Sequence, residues 1–403
     1  MLFRSKHVEL IYQEGESDCI IVTFNGIGSR ADGKRFWGDT FLKKNGLSAM
    51  GFVSTHRNWF PRESMDELIE IALPILKNYK QVCTYGASMG AYGAIKFSRR
   101  LGAHTVVAFS PQYTIDPSQK HTAFTYFYNA ELNQGVTIEA EDIGGNVFLF
   151  FDPTHLVDNY AANYIAKLCN ANLVPVPYIG HTTIVPFAKS GRGLEVLKLS
   201  MAGEPKPLRQ LSQHTRRNHG GDLRVFHLAL RLIEKHISLA LAVCEKYPQI
   251  LDEQRLVAFS RELQRFHQIG PAIAWAQASV DRDPARANAF RNLSGFLRAS
   301  GNLAEAKQAL HKALQIEPAN HQFMMKLSII CCDLQQIDEG IDWARKAIEA
   351  APHDPQSFYN LVLIQKNNQP TDQAIETLQQ ALIRHPRNNS FKVLLEELQN
   401  AQS

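Results

Sequence analysis

Apolar positions follow two different rhythms along the chain. Up to about residue 200 they come in short runs: CIIVTF (Cys19 to Phe24), GFVST (Gly51 to Thr55), QVCTY (Gln81 to Tyr85), TVVAFS (Thr105 to Ser110), NVFLFF (Asn146 to Phe151) and NLVPVPYI (Asn172 to Ile179). Most are separated by stretches long enough for a helix, which predicts βα units and a mostly parallel sheet with helices on its faces. From Leu223 onward the apolar period is helical, Ala, Leu, Glu, Lys and Gln dominate, and no strand is predicted. Between these parts, AGEPKPLRQLSQHTRRNHGGD carries two prolines, a Gly pair and four basic side chains, and so predicts a linker. The chain therefore divides into an α/β domain over 1–201, a connection over 202–222 and an all-α domain over 223–403.

The second half repeats. Pro284, Pro318, Pro352 and Pro386 are spaced 34 residues apart, with Ala272, Ala306, Gly340 and Ala374 twelve before each and Ser279, Ala313, Ala347 and Ala381 five before. Leu293, Leu327 and Leu361 hold the same register. Small residues let paired helices approach closely, and the proline ends the second helix of each pair. In stretches such as AFRNLSGFLRASGNLAEAKQALHKALQIEP this half resembles the tetratricopeptide repeat family, although Gly340 and Gln365 depart from its small and aromatic preferences. The resemblance implies stacked helix pairs with a groove for a protein or peptide partner. Arg291, Arg298, Lys326, Asn360 and Lys366 are expected on the first helices as a mildly basic, polar face suited to an acidic peptide.

The α/β half contains Gly86-Ala87-Ser88-Met89-Gly90 between the apolar run QVCTY and the helical pattern MGAYGAIKFSRRL. A serine becomes a nucleophile when a base takes its proton and a sharp turn holds it clear of the backbone. This stretch resembles the G-x-S-x-G elbow of the α/β-hydrolase superfamily, whose triad runs Ser, then Asp or Glu, then His along the chain. The resemblance implies Ser88 as nucleophile and His181, in VPYIGHTTIVPF, as base. Asp152, in the D-P that follows NVFLFF, is the preferred acid, with Asp158 as the alternative. The oxyanion donors are then the N–H groups of Met89 and of Ile27, in the Gly-rich turn VTFNGIGSR.

The segment Pro111 to Gly145 is rich in aromatics, and from it Tyr113 and Tyr126, together with His56 after the GFVST run, are candidate substrate-binding residues. The α/β half is short for that superfamily, ending near residue 200, which implies an open site and a glycan- or protein-borne acyl group, and VVAFSPQYTIDP is similar to bacterial hydrolase-like proteins associated with surface polysaccharides. The expected reaction is cofactor-free cleavage or transfer of an acyl ester or thioester. The contrasting expectation is a catalytically silent scaffold whose repeats do the work. Zinc-type Cys/His spacing is absent, so no metal is expected. With 43 Lys plus Arg against 39 Asp plus Glu, the charge is close to balanced and points to no nucleic acid. The opening residues lack a secretory apolar core and no run suffices for a membrane span, so a cytoplasmic protein with reduced cysteines is expected.

Overall fold

The computed structural model describes residues 1–386 and 388–400. The chain forms two compact units, Met1–Leu228 and the residues from Ala229 onward.

In the first unit the strands are β1 (Leu2–Arg4), β2 (Val8–Gln13), β3 (Cys19–Phe24), β4 (Ser48–Ser54), β5 (Gln81–Ala87), β6 (Thr105–Phe109), β7 (Asn146–Phe151) and β8 (Asn172–Pro175). They form one sheet in the order β1-β2-β4-β3-β5-β6-β7-β8. The strands from β4 to β8 in that order are parallel, and β1 and β2 add an antiparallel edge that the six apolar runs do not predict. Helices α1 (Asp39–Lys44), α2 (Arg62–Leu76), α3 (Met89–Lys96), α4 (Leu156–Cys169), α5 (Val185–Lys189), α6 (Gly193–Met201) and α7 (Pro205–His219) cover it.

Strand alternation separates two cores. Val147, Leu149 and Phe151 of β7 pack with Leu68 and Ile69 of α2, Ile95 of α3 and Ile165 of α4. Phe148 and Phe150 of the same strand face the other way, with Leu42 of α1, Phe187 of α5, Leu197 of α6 and Leu208 of α7. The expected 202–222 connection is thus largely helix. Leu208, Leu211, Ser212 and Thr215 make one buried face of α7 at helical spacing, and Arg209 and Ser212 donate to the carbonyls of Leu173 and Pro175. Helix α8 (Gly221–Ile233) follows and carries the division between the units.

The second unit is helical among its described residues: α9 (Ile237–Lys246), α10 (Glu253–Arg265), α11 (Ile269–Arg282), α12 (Ala287–Ala299), α13 (Leu303–Ile316), α14 (His321–Asp333), α15 (Ile337–Ala350), α16 (Pro355–Asn368), α17 (Thr371–Arg384) and α18 (Asn389–Asn400). The small residues of the repeat lie on α11, α13, α15 and α17 and are buried. A Cβ on Gly340 would stand 2.6 Å from Cys332 Sγ on α14, so close helix approach explains that departure from alanine. Asn320 and Asp354 cap α14 and α16 through hydrogen bonds from the next backbone N–H groups.

Candidate active site

Parallel strands deliver their loops to one edge of the sheet, and the site is assembled there. Ser88 stands between β5 and α3 with φ 56° and ψ −119°, a conformation costly for a residue with a side chain. The turn persists because both flanks lack a Cβ. One on Gly86 would come within 2.1 Å of Gly90 O, and one on Gly90 within 2.3 Å of Phe24 O. Those glycines press the start of α3 against the end of β3.

His181 lies on the loop after β8. Its Nε2 is 2.8 Å from Ser88 Oγ, and its Nδ1 is 2.7 Å from Asp158 Oδ1. The acid at the ring is therefore Asp158 on the first turn of α4, and the preference for Asp152 is corrected. Asp152, fully buried at the end of β7, spends Oδ2 on the backbone N–H groups of Ile179 and Gly180, at 2.7 and 2.6 Å, and Oδ1 on Thr154. It anchors the loop that carries His181. Thr183 extends the anchor: its Oγ1 donates to Phe150 O at 3.1 Å and lies 2.8 Å from Ser110 Oγ.

Asp158 is fully buried, and its Oδ2 has no partner among the described residues. Burial alone would raise its pKa, but hydrogen bonds to His155 and His181 and the charges of those rings outweigh it and hold the carboxyl below its ordinary value. His155, which the sequence offers only as a competitor of His181 for the role of base, is a second imidazole on the same carboxylate. Its Nδ1 is 3.3 Å from the Asp158 N–H, which it caps when neutral, and 3.1 Å from Asp158 Oδ1, to which it donates when protonated. Burial opposes its charged form, yet the Asp158 hydrogen bond and the Asp158 and Asp152 charges raise its pKa. His155, Asp158 and His181 offer ligand atoms within 4.8 Å of one another. A cation on His181 Nδ1 would displace the proton that Asp158 accepts, so metal binding and the Ser–His–Asp relay exclude each other.

Met89 is the first residue of α3, where N–H groups have no intrahelical acceptor. Ile27 lies in the loop after β3. Asn25, fully buried, shapes that loop: its Oδ1 accepts from the Ser54 N–H and hydroxyl, and its Nδ2 donates to Gly26 O and Ser29 O. Gly26 passes the elbow, the nearest atom to a Cβ built on it being Ala87 O at 3.9 Å.

The aromatic segment meets the site through Phe124, whose ring centroid is 5.8 Å from that of His181. Trp59 and Tyr126 flank Phe124, and Tyr126 is 75% exposed, available to a ligand. Tyr113 is not. It is buried, donates its hydroxyl to Lys120 O, and packs on Tyr160 and Tyr164. His56 is exposed, with Nδ1 3.0 Å from Thr55 Oγ1. A separate apolar cavity of about 460 Å³ lies among Trp37, Phe41, Tyr85, Ile184, Phe187 and Leu194. All six cysteines are free.

In the helical unit a basic cluster forms on α10, α12 and α14. Burial, then the charges of Arg291, Arg298 and Arg261, lower the pKa of Lys326, and Arg291 Nε is buried without a partner among the described residues. Arg298 is paired, 2.5 Å from Asp333. Asn360, expected on this face, is buried and donates to Ser328 Oγ at 2.7 Å, whereas Lys366 is exposed.

Residues 297–362 match the family model of the tetratricopeptide repeat, and this half carries such repeats. No curated protein matches the chain. Among solved structures, it is similar to MamA from Desulfovibrio magneticus RS-1, at 14% identity over 42% of this chain and 97% of that chain, with a TM-score of 0.34. A thermophilic tetratricopeptide repeat protein in Thermus thermophilus, TTC0263, gives 18% identity, 44% and 98% coverage, and a TM-score of 0.33. YrrB, described as having an unusual peptide-binding site, gives 16% identity, 40% and 82% coverage, and a TM-score of 0.31. Among the described residues no helix is long and apolar enough to cross a membrane.

Proposed function

We propose that the sheet half is a serine esterase or acyl-transfer enzyme of the α/β-hydrolase type, joined to a repeat array that docks a protein partner. The observation that carries this reading is the continuous relay Ser88 Oγ, His181 Nε2, His181 Nδ1, Asp158 Oδ1, with links of 2.8 and 2.7 Å. Its order along the chain, its strained elbow and the position of Ile27 in the loop after β3 all support it.

In this reading Ser88 Oγ attacks the carbonyl carbon of an ester or thioester while His181 Nε2 takes the hydroxyl proton. The oxyanion is held by the Met89 and Ile27 N–H groups. His181 then returns the proton to the departing alcohol or thiol, leaving an acyl group on Ser88. Water, or another alcohol or amine, gives its proton to Nε2 as it attacks the acyl carbon, and His181 returns that proton to Ser88 Oγ as the bond to Oγ breaks and the acyl group leaves on the acceptor. Asp158 keeps the ring in the required tautomer and stabilises its charged form.

A fluorophosphonate probe should label the purified protein and fail to label Ser88→Ala, and p-nitrophenyl esters of graded length should be hydrolysed with a preferred chain length. Labelling that persists in Ser88→Ala, or is absent from the parent across pH, refutes the enzymatic reading. The repeats then favour the second reading, a scaffold. For the array, the cluster of Arg261, Arg291 and Lys326 supports an acidic peptide as partner. Charge reversal at Arg291 and Lys326 should abolish partner capture, and unchanged capture would exclude that face.

A further inference from the structure

The loop that supplies Ile27 gathers two cations that the relay does not use, its own Arg30 and Arg57 from the loop after β4. The Ile27 carbonyl accepts from Arg30 Nη1 at 2.8 Å and from Arg57 Nε at 3.3 Å. Arg30 Nη1 also donates to Ser29 O, and the Arg57 guanidinium lies 5.4 Å from the centroid of the Phe127 ring. Both heads are exposed yet held, one by its own turn and the other by a peptide and an aromatic face.

Among the described residues neither arginine is paired with an Asp or Glu, and Arg30 Nε and Nη2 and Arg57 Nη1 and Nη2 make no hydrogen bond. One carbonyl does not require two guanidinium groups. Their mutual repulsion is felt, since burial and the Arg57 charge lower the pKa of Arg30. Two fixed cations with idle planar N–H donors and no counter-charge suit a group of opposite sign.

We propose that Arg30 and Arg57 form a subsite for an anionic group of the substrate, a carboxylate, phosphate or sulfate close to the scissile bond. This rests on the acyl-transfer reading. The Ile27 N–H, assigned to the oxyanion, and the Ile27 carbonyl, which holds both guanidinium groups, flank a single Cα. An anion on the arginines is therefore separated from the reacting carbonyl by one residue of backbone, one guanidinium group and the hydrogen bonds between them, roughly 6–10 Å. The class of substrate is an acidic ester or thioester, and the exposed position of both heads leaves room for a large carrier.

Two pairs of esters test this. On the acyl side, mono-p-nitrophenyl adipate is compared with its methyl ester; on the leaving-group side, 3-carboxyphenyl butyrate is compared with 3-carbamoylphenyl butyrate. The parent should prefer the acid in one pair by about tenfold in kcat/KM, with the preference shrinking as salt rises. That pair also locates the anion. In Arg57→Gln and in the double variant with Arg30→Gln, the ratio of acid to neutral ester should fall toward one. A parent that hydrolyses all four esters with no preference for the acids overturns the subsite and leaves the esterase reading standing. So do variants that lower both members of a pair equally, since that marks the arginines as braces of the loop. The same esters are titrated calorimetrically onto Ser88→Ala, which cannot turn them over. An acid preference there that Arg57→Gln removes supports the subsite even if the parent is inactive, which would sink only the acyl-transfer reading; equal binding overturns it.

Discussion

Glycine does opposite work at the Ser88 elbow and at Gly295 of the repeat helices. In the sheet half, Gly86, Gly90 and Gly93 stand where a Cβ would come within 2.1, 2.3 and 2.5 Å of its nearest neighbour. In the helical half, Gly270, Gly295 and Gly301 have nothing within 4 Å of that position. The sheet half concentrates its chemistry at a few crowded points brought together from afar, Ser88 and His181 being 93 residues apart. The helical half repeats one contact between neighbouring helices. A single atom added at the elbow breaks a site, whereas one added at Gly295 is absorbed, Gly340 being the crowded exception of the helical half.

The largest effect expected is at Asp158. Asp158→Asn removes the acceptor that fixes the His181 tautomer, and kcat should fall by about 10³–10⁴-fold, with a loss of stability from the buried carboxylate's pairing to His155 and His181. Asp152→Asn leaves the relay intact but weakens two buried backbone anchors. It should cost roughly 1–3 kcal/mol of stability and only about tenfold in kcat. Steady-state kinetics and denaturant unfolding on both variants separate the roles, and equal kinetic losses would reverse the assignment. Next comes Gly90→Ala, which drives a methyl into the Phe24 carbonyl. It should lower stability by about 3 kcal/mol, measured by urea unfolding, and reduce Ser88 labelling in the fraction that folds.

A smaller effect concerns pH. His155 faces Asp158 on its own helix and the His181 ring at 5.8 Å, and feels the Asp152 charge. Its folded pKa is raised, so its contribution to stability is complete below the ordinary imidazole value of about 6.5 and is lost as pH rises through the folded value. Asp158 is depressed, so its contribution holds above the ordinary carboxylate value, about 3.9, and is lost only as pH falls through the folded value. Between these limits, near pH 5 to 6, the parent should exceed His155→Gln in melting temperature by the widest margin, and the gap should narrow on the alkaline side. A gap independent of pH would show that His155 serves only as a cap.

Much of this was readable from residue pattern. Six apolar runs match six strands, Ser88 and His181 meet, and the proline period places the helix pairs, because each signal is local or strictly periodic. The acid was not, because Asp152 and Asp158 both follow β7 and only the path of the His181 loop decides which carboxylate faces the ring. The spacing His155-x-x-Asp158 at the start of α4 was the available signal, a helix start bearing its own imidazole. Helix α7 was hidden by its prolines and polar composition, although Leu208, Leu211, Ser212 and Thr215 mark one helical face. Strand β1 was hidden by its three-residue length, and β2 by the charged Glu9 that interrupts its apolar run.

The smallest effect tests the comparison from its tolerant side. Gly295 lies inside α12, exposed, in a backbone conformation that any residue adopts, and open around the position of a Cβ. Gly295→Ala therefore adds helix propensity and removes freedom from the unfolded chain without meeting an atom. Stability of the helical unit should rise by about 0.5–1 kcal/mol, read as a higher urea midpoint at unchanged slope. The same exchange at Gly90 should move the midpoint the other way. If both substitutions shift stability in one direction, crowding around the glycine is not what distinguishes the two positions, and the strain at the Ser88 elbow must be held by something other than the missing side chains.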